Sequence, residues 1–261
     1  MDLPVNTFKR RLEAGERQIG LWLTLANPFA AEAVAGAGFD WLLLDMEHSP
    51  ADVETVLAQL QAVSAYAATP IVRPPTNDAV VIKRLLDIGA QGLLIPYVQS
   101  AEEAAAAVAA IRYPPRGIRG VSASTRATRF GRIPDYGRRA DTELCLLVQV
   151  ETEAALQHLE AIATVDGVSG VFIGPGDLAA SMGYVGQPGH PAVQAAVLDA
   201  ISRLRRLNVP AGLLTGDAAF AEACLAQGAG FVAVGVDAAM LARAADALAG
   251  RFCAPSDPTG G

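Results

Sequence analysis

Eight short apolar runs recur along the chain, and a helical pattern separates each from the next. They are GLWLTLA (20–26), WLLLDME (41–47), PIVRPP (70–75), GLLIPYV (92–98), LCLLVQVE (144–151), GVFIGPG (170–176), AGLLTGD (211–217) and FVAVGVD (231–237). Each is continuously hydrophobic rather than alternating, the pattern of a strand buried on both faces. Eight such strands alternating with helices over about 250 residues predict an α/β fold of the (β/α)8 TIM barrel type. A single domain over 1–252 follows, with CAPSDPTGG (253–261) expected to be a disordered tail. An open doubly wound sheet is disfavoured, because no GxGxxG follows the first strand.

The helices carry their own signals. Ser49-Pro50-Ala51-Asp52 predicts an N-cap at Ser49, with proline at the first helical position, and Val53, Val56, Leu57, Leu60 and Val63 mark the buried face. Ser100 and Glu103 form a capping box ahead of an alanine-rich helix. Gly36-Ala37-Gly38, Gly89-Ala90-Gln91-Gly92 and Gly228-Ala229-Gly230 place glycine where a helix ends and a strand begins. Outside this repeat lies an arginine-, glycine- and proline-rich insertion over 112–139, expected to be a lid or an intersubunit arm.

Composition narrows the function. The chain is 52% hydrophobic but 6% aromatic, so much of its apolar excess is alanine and suits close-packed helices. No apolar run reaches the ~18 residues of a spanning helix. A net charge of −7 without a basic stripe disfavours nucleic acid as the main partner. The opening MDLPVNTFKRRLEAGERQIG lacks the apolar core of a secretory signal, so a cytoplasmic location is expected. Cys145, Cys224 and Cys253 have neither metal-site spacing nor an even disulfide count. Only two of the 20 basic residues are lysines, Lys9 and Lys83.

In this fold the chemistry gathers at the C-terminal ends of the strands. The second run ends in Asp45, Glu47 and His48, the third in Arg73, the fifth in Gln149 and Glu151, and the sixth leads to Gly174-Pro175-Gly176-Asp177. Glu151 and Asp177 follow neighbouring strands, whose backbones lie ~4.8 Å apart. Carboxylates that close repel unless a cation or a proton joins them, and hard oxygen donors suit Mg²⁺ or Mn²⁺. Each acid could equally cap a helix. His48 reads either as a general base tuned by a nearby carboxylate or as a loop histidine bonded to backbone. His158 and His190 fit a helix and a turn. Arg73 can hold a carboxylate or stabilise an enolate oxygen. Neither lysine sits at a strand end, so Schiff-base chemistry is not expected.

The motifs DMEHSP, IVRPP, LLDIGAQGLLIPYVQ, YPPRGIRGV, VQVETEAAL and GVFIGPGDLAASMGY, in this order, resemble the HpcH/HpaI aldolase family over nearly the whole chain. The resemblance implies a metal-dependent class II pyruvate aldolase that cleaves 4-hydroxy-2-oxo acids to pyruvate and an aldehyde through a metal-stabilised enolate. It places metal ligands on Glu151 and Asp177, the base on His48 with Asp45 beside it, and the enolate-stabilising arginine on Arg73. It puts oxo-acid contacts on Gln149 and on the backbone around Gly176 and Asp177. It implies a divalent metal, Mg²⁺ or Mn²⁺ with Co²⁺ a further candidate. Its partners would be a small 2-oxo acid and an aldehyde, with no membrane. It also implies a homo-oligomer, a trimer of dimers that exchanges the C-terminal helix over 238–252. Asp87 matches an acid that raises the base's basicity, yet it sits near the C-terminal end of its helix, hence at the wrong end of its own barrel. It would act across a subunit interface, or else pair with Lys83 at i,i+4. Arg126 and Arg129 in 120–132 are candidates for a distal carboxylate or for an interface.

Two other readings compete. A malyl-CoA or citramalyl-CoA lyase would share metal and enolate, but no adenine or pyrophosphate site is evident. A non-catalytic barrel that binds an oxo acid would need no proton-transfer group. A phosphosugar enzyme is less favoured, since the seventh and eighth strand ends lack a glycine-rich phosphate cradle.

Overall fold

The computed structural model describes residues 1–253; the predicted tail beyond Cys253 lies outside the described residues. Eight parallel strands close in sequence order, with β8 pairing back onto β1. They are β1 Gln18–Leu23, β2 Trp41–Asp45, β3 Thr69–Arg73, β4 Gly92–Ile95, β5 Cys145–Val150, β6 Gly170–Ile173, β7 Ala211–Leu214 and β8 Phe231–Val236. Every predicted run overlaps its strand, although β1 and β3 begin earlier than expected, at Gln18 and Thr69, and most runs overshoot at the C-terminal ends because the polar residues there belong to loops. The helices are α1 Thr7–Glu13, α2 Pro28–Ala35, α3 Val53–Ala62, α4 Ala79–Asp87, α5 Ala101–Ile111, α6 Tyr136–Arg139, α7 Glu153–Gln157, α8 Leu159–Ala163, α9 Pro175–Ser181, α10 Pro191–Arg206, α11 Ala218–Gln227 and α12 Asp237–Phe252.

Strand alternation sends side chains to two separate cores. The larger one fills the layer between strands and helices with Leu, Ile, Val and Ala. The smaller one fills the barrel interior and is aromatic. Its floor is a cluster of Phe8, contributed by α1, with Trp41 and Phe231 at centroid separations of 5.8 to 6.1 Å. Glycines on the adjacent strands admit these rings: a Cβ at Gly20 would overlap Trp41, and one at Gly212 would overlap Phe231. Burying a phenylalanine side chain contributes about 1.5–3 kcal/mol.

The start of α3 differs from the expected cap. Asp52, not Ser49, is the N-cap, its Oδ1 accepting the Thr55 N–H at 2.7 Å. The Ser49 hydroxyl donates instead to the Asp45 carbonyl at 2.5 Å, which ties the β2 exit loop to its strand. Ser100 caps α5 as expected, accepting from the Glu103 N–H, while Glu103 reaches back to the Gln99 N–H rather than to Ser100. Gly38, Gly89 and Gly228 adopt left-handed φ values of 98°, 94° and 115° at their helix–strand junctions.

The insertion over 112–139 does not close over the mouth. It straps the side and the N-terminal end of the barrel. The wholly buried Arg119 guanidinium stacks over Tyr113 (4.5 Å) and Tyr136 (5.7 Å), and Nη2 meets Asp87 Oδ1 at 3.3 Å. Asp87 therefore pairs with Arg119 and not with Lys83, because the strap delivers a buried cation to the end of α4. Arg126 Nη1 donates to the Ile88 carbonyl at 2.7 Å, also at the N-terminal end.

Candidate active site

A cavity of about 510 Å³ opens at the C-terminal mouth and collects residues from strand ends far apart in sequence, among them Trp22, His48, Arg73, Gln149, Glu151 and Asp177. Above the aromatic floor, Trp22 and Phe172 pack at 5.3 Å, and the Arg73 guanidinium lies 4.8 Å over the Trp22 ring. The interior thus passes from hydrocarbon to charge in one side-chain layer.

Arg73 is the fixed point of the site. It ends β3 in register with Asp45, which ends β2. Arg73 Nε and Nη2 donate to the two Asp45 oxygens at 2.9 and 2.7 Å, a bidentate fork, and both side chains are buried. Trp22 Nε1 adds a hydrogen bond to Asp45 Oδ2 at 3.1 Å, and the Glu47 N–H binds Oδ1 at 3.0 Å. Burial alone would raise the Asp45 carboxyl; Arg73, the Glu47 N–H and Trp22 outweigh it and hold the pKa below the ordinary value. The remaining nitrogen, Nη1, lies 2.7 Å from Glu47 Oε2 and 3.5 Å from Gln149 Oε1.

Across the mouth, Glu151 is buried and makes no ion pair among the described residues. Oε1 accepts the Tyr97 N–H at 2.9 Å, and Oε2 accepts from Gln149 Nε2. Its pKa is pushed up to about 7, first by burial and further by the charges of Asp177 and Glu47, against the lowering effect of Gln149. Glu47 is also raised, chiefly by burial, with Arg73 and His48 opposing. Asp177 stands exposed in the first turn of α9 and faces the same cavity.

A buried carboxylate that feels the charges of two others is the environment a divalent cation neutralises. No group of three or more His, Cys, Asp or Glu forms a metal cluster among the described residues. Two carboxylates with the remaining positions left to water and substrate fit Mg²⁺ or Mn²⁺, which retain such ligands, better than a closed zinc site. The donor set therefore fits a hard divalent cation.

His48 lies on the rim, its side chain 65% exposed, with Nε2 3.9 Å from Glu47 Oε2. The carboxylate beside it is thus Glu47, while Asp45 is turned toward Arg73. Asp87, Arg126 and Arg129 do not line the mouth of this chain. His190 uses Nδ1 to cap α10, as its turn setting suggested. Trp22, Glu47 and Tyr97 are the contributors that sequence reasoning left without a role. Only the position of Glu47 between Asp45 and His48 signals one. Trp22 looks like core, and nothing marks Tyr97 as a left-handed residue with φ 53°.

The fold is a (β/α)8 barrel with a charged cavity at the end where such barrels carry their active sites. The family model described as HpcH/HpaI aldolase/citrate lyase matches residues 18–244, and the chain belongs to that family. A pyruvate aldolase from Rhizobium etli is 66% identical over 252 residues, covering 97% of this chain and 99% of that protein. A 4-hydroxy-2-oxo-heptane-1,7-dioate aldolase from Salmonella arizonae is 57% identical, covering 98% and 97%. Among solved structures, an HpcH/HpaI aldolase/citrate lyase family protein from Burkholderia cenocepacia superposes with a TM-score of 0.92 at 37% identity, covering 96% of this chain and all of that one.

Proposed function

We propose that this protein is a class II pyruvate aldolase, a carbon–carbon lyase that reversibly cleaves 4-hydroxy-2-oxo acids to pyruvate and an aldehyde. The observation that carries this reading is the arrangement of Arg73, locked on Asp45, opposite the Gln149–Glu151 pair in one cavity. A divalent cation held by Glu151 and Asp177 would supply Lewis-acid polarisation of the 2-oxo acid. Arg73 presents fixed positive charge to the substrate's oxygen as negative charge develops there. Gln149, set between Arg73 and Glu151, orients the oxo acid. His48, open to solvent, takes the proton from pyruvate in the synthetic direction and gives it back in cleavage. The lysines support the same choice: Lys9 Nζ donates to the Asp141 and Thr142 carbonyls, away from the mouth, and Lys83 does not line the cavity.

Cleavage of 4-hydroxy-2-oxo-heptane-1,7-dioate should stop on chelation and return with Mg²⁺, Mn²⁺ or Co²⁺. Borohydride in the presence of pyruvate should leave the enzyme active. Covalent trapping of pyruvate by borohydride would reject the scheme.

The chain also reads as a homo-oligomer. In α12 only Asp237 is buried, while Met240, Leu241, Leu248 and Phe252 are exposed, which suits a helix that packs on a second copy. Asp87 would then approach a neighbour's site. Light scattering should give a multiple of the chain mass, and Asp87→Asn should change the pH profile. A monomer, or an unchanged profile, would count against this arrangement.

A further inference from the structure

Gly174 follows β6, and its backbone gives no reason for a glycine: φ −90° and ψ 96° are open to any L residue. The reason is space. A Cβ on Gly174 would lie 2.5 Å from Glu151 Oε2, 2.8 Å from Glu151 Cβ and 3.0 Å from Gln149 Nε2. The two distal atoms could swing aside, but Glu151 Cβ cannot, since it is set by the backbone. That backbone is pinned: Val150 pairs with Ile173, and the Gly174 N–H donates to the Val150 carbonyl at 3.1 Å. A side chain here would have to part the two strand ends or tilt the first turn of α9, which carries Asp177 three residues on.

The opposite side of Glu151 is held as firmly. Tyr97 adopts φ 53°, a left-handed conformation unfavourable for a non-glycine residue, and its N–H binds Glu151 Oε1. One oxygen is fixed by that strained amide and the other by Gln149. The carboxylate fills the volume a Gly174 side chain would need.

We propose that Gly174 is a positioning residue, its missing side chain forming the slot that holds the Glu151 carboxylate where it and Asp177 can share one divalent cation. This rests on the reading of Glu151 as a metal ligand. Gly216, at the same mouth after β7, is the control, because a Cβ there meets nothing within 4 Å.

Mn²⁺ titration followed by electron paramagnetic resonance should show Gly174→Ala binding about 10- to 100-fold more weakly than wild type, the range typical of residues that orient a ligand. Gly216→Ala should bind as wild type does. Unchanged affinity in Gly174→Ala would overturn the inference. If the wild type itself binds no Mn²⁺, the metal reading fails, and metal-free melting decides the slot separately. Gly174→Ala should then melt below wild type, and adding Glu151→Gly should recover the loss. The same double variant decides the case if Gly174→Ala does not fold: regained folding supports the slot, and continued failure overturns it.

Discussion

At one end of the barrel Phe8, Trp41 and Phe231 meet edge to face; at the other, Asp45, Arg73 and Glu151 are buried almost as fully but carry charge. The floor is held mainly by packing, and the one polar side-chain group of its three rings, the Trp41 indole N–H, donates to the Gln18 carbonyl at 3.3 Å. The mouth is held by a directional network in which Arg73 answers Asp45 but Glu151 has no cationic partner among the described residues. Similar burial therefore serves opposite ends. The floor is closed by packing, whereas the mouth keeps one buried carboxylate without a cation beside it among the described residues.

The comparison breaks most visibly at the floor. Phe8→Ala should lower the free energy of urea unfolding by about 3–5 kcal/mol. Turnover per folded molecule should persist, so a rate loss beyond the unfolded fraction would show that the two ends are coupled. At the mouth the balance should reverse. Arg73→Lys keeps the charge but loses the fork, and the steady-state cleavage rate should fall roughly 100- to 1,000-fold with a smaller stability loss than Phe8→Ala. A mild rate effect would mean that Arg73 is structural.

The smallest effect belongs to a pair in the helix layer, apart from either end. Arg203 grips Glu160 through two nitrogens at 2.7 and 2.6 Å, and that hydrogen bonding holds the Glu160 carboxyl down at about 2. A depressed carboxylate adds stability above its unfolded pKa of 4.5 and loses it as the pH falls toward 2. Glu160→Gln should flatten acid unfolding in that window only slightly, because the Glu160 side chain is about half open to solvent, at 47% exposure. A large change there would contradict the view that the surface pair matters little.

Much of this was legible in the chain. Two-sided burial leaves unbroken apolar runs, so all eight strands could be read, and closure followed from their number. The polar residues at the strand ends stood out because nothing else interrupts those runs. Pair geometry was not legible. Asp45, Glu47 and His48 are close in sequence, but only the register of β2 with β3 turns Asp45 toward Arg73 and leaves Glu47 near the histidine. Trp22 was hidden because an indole in an apolar run reads as core, although it donates to Asp45. The place of the 112–139 strap was hidden too, since its anchor is Arg119, one arginine among 18.

The fork between Arg73 and Asp45 also bears on temperature. A free arginine gives up about 2 kcal/mol of rotamer entropy when it grips an anion. Arg73 has given that up during folding, held by Asp45 and stacked on Trp22. Oxo-acid capture by this side chain should then show little entropic loss in calorimetry, and its affinity should decline only gently on warming until the barrel itself melts.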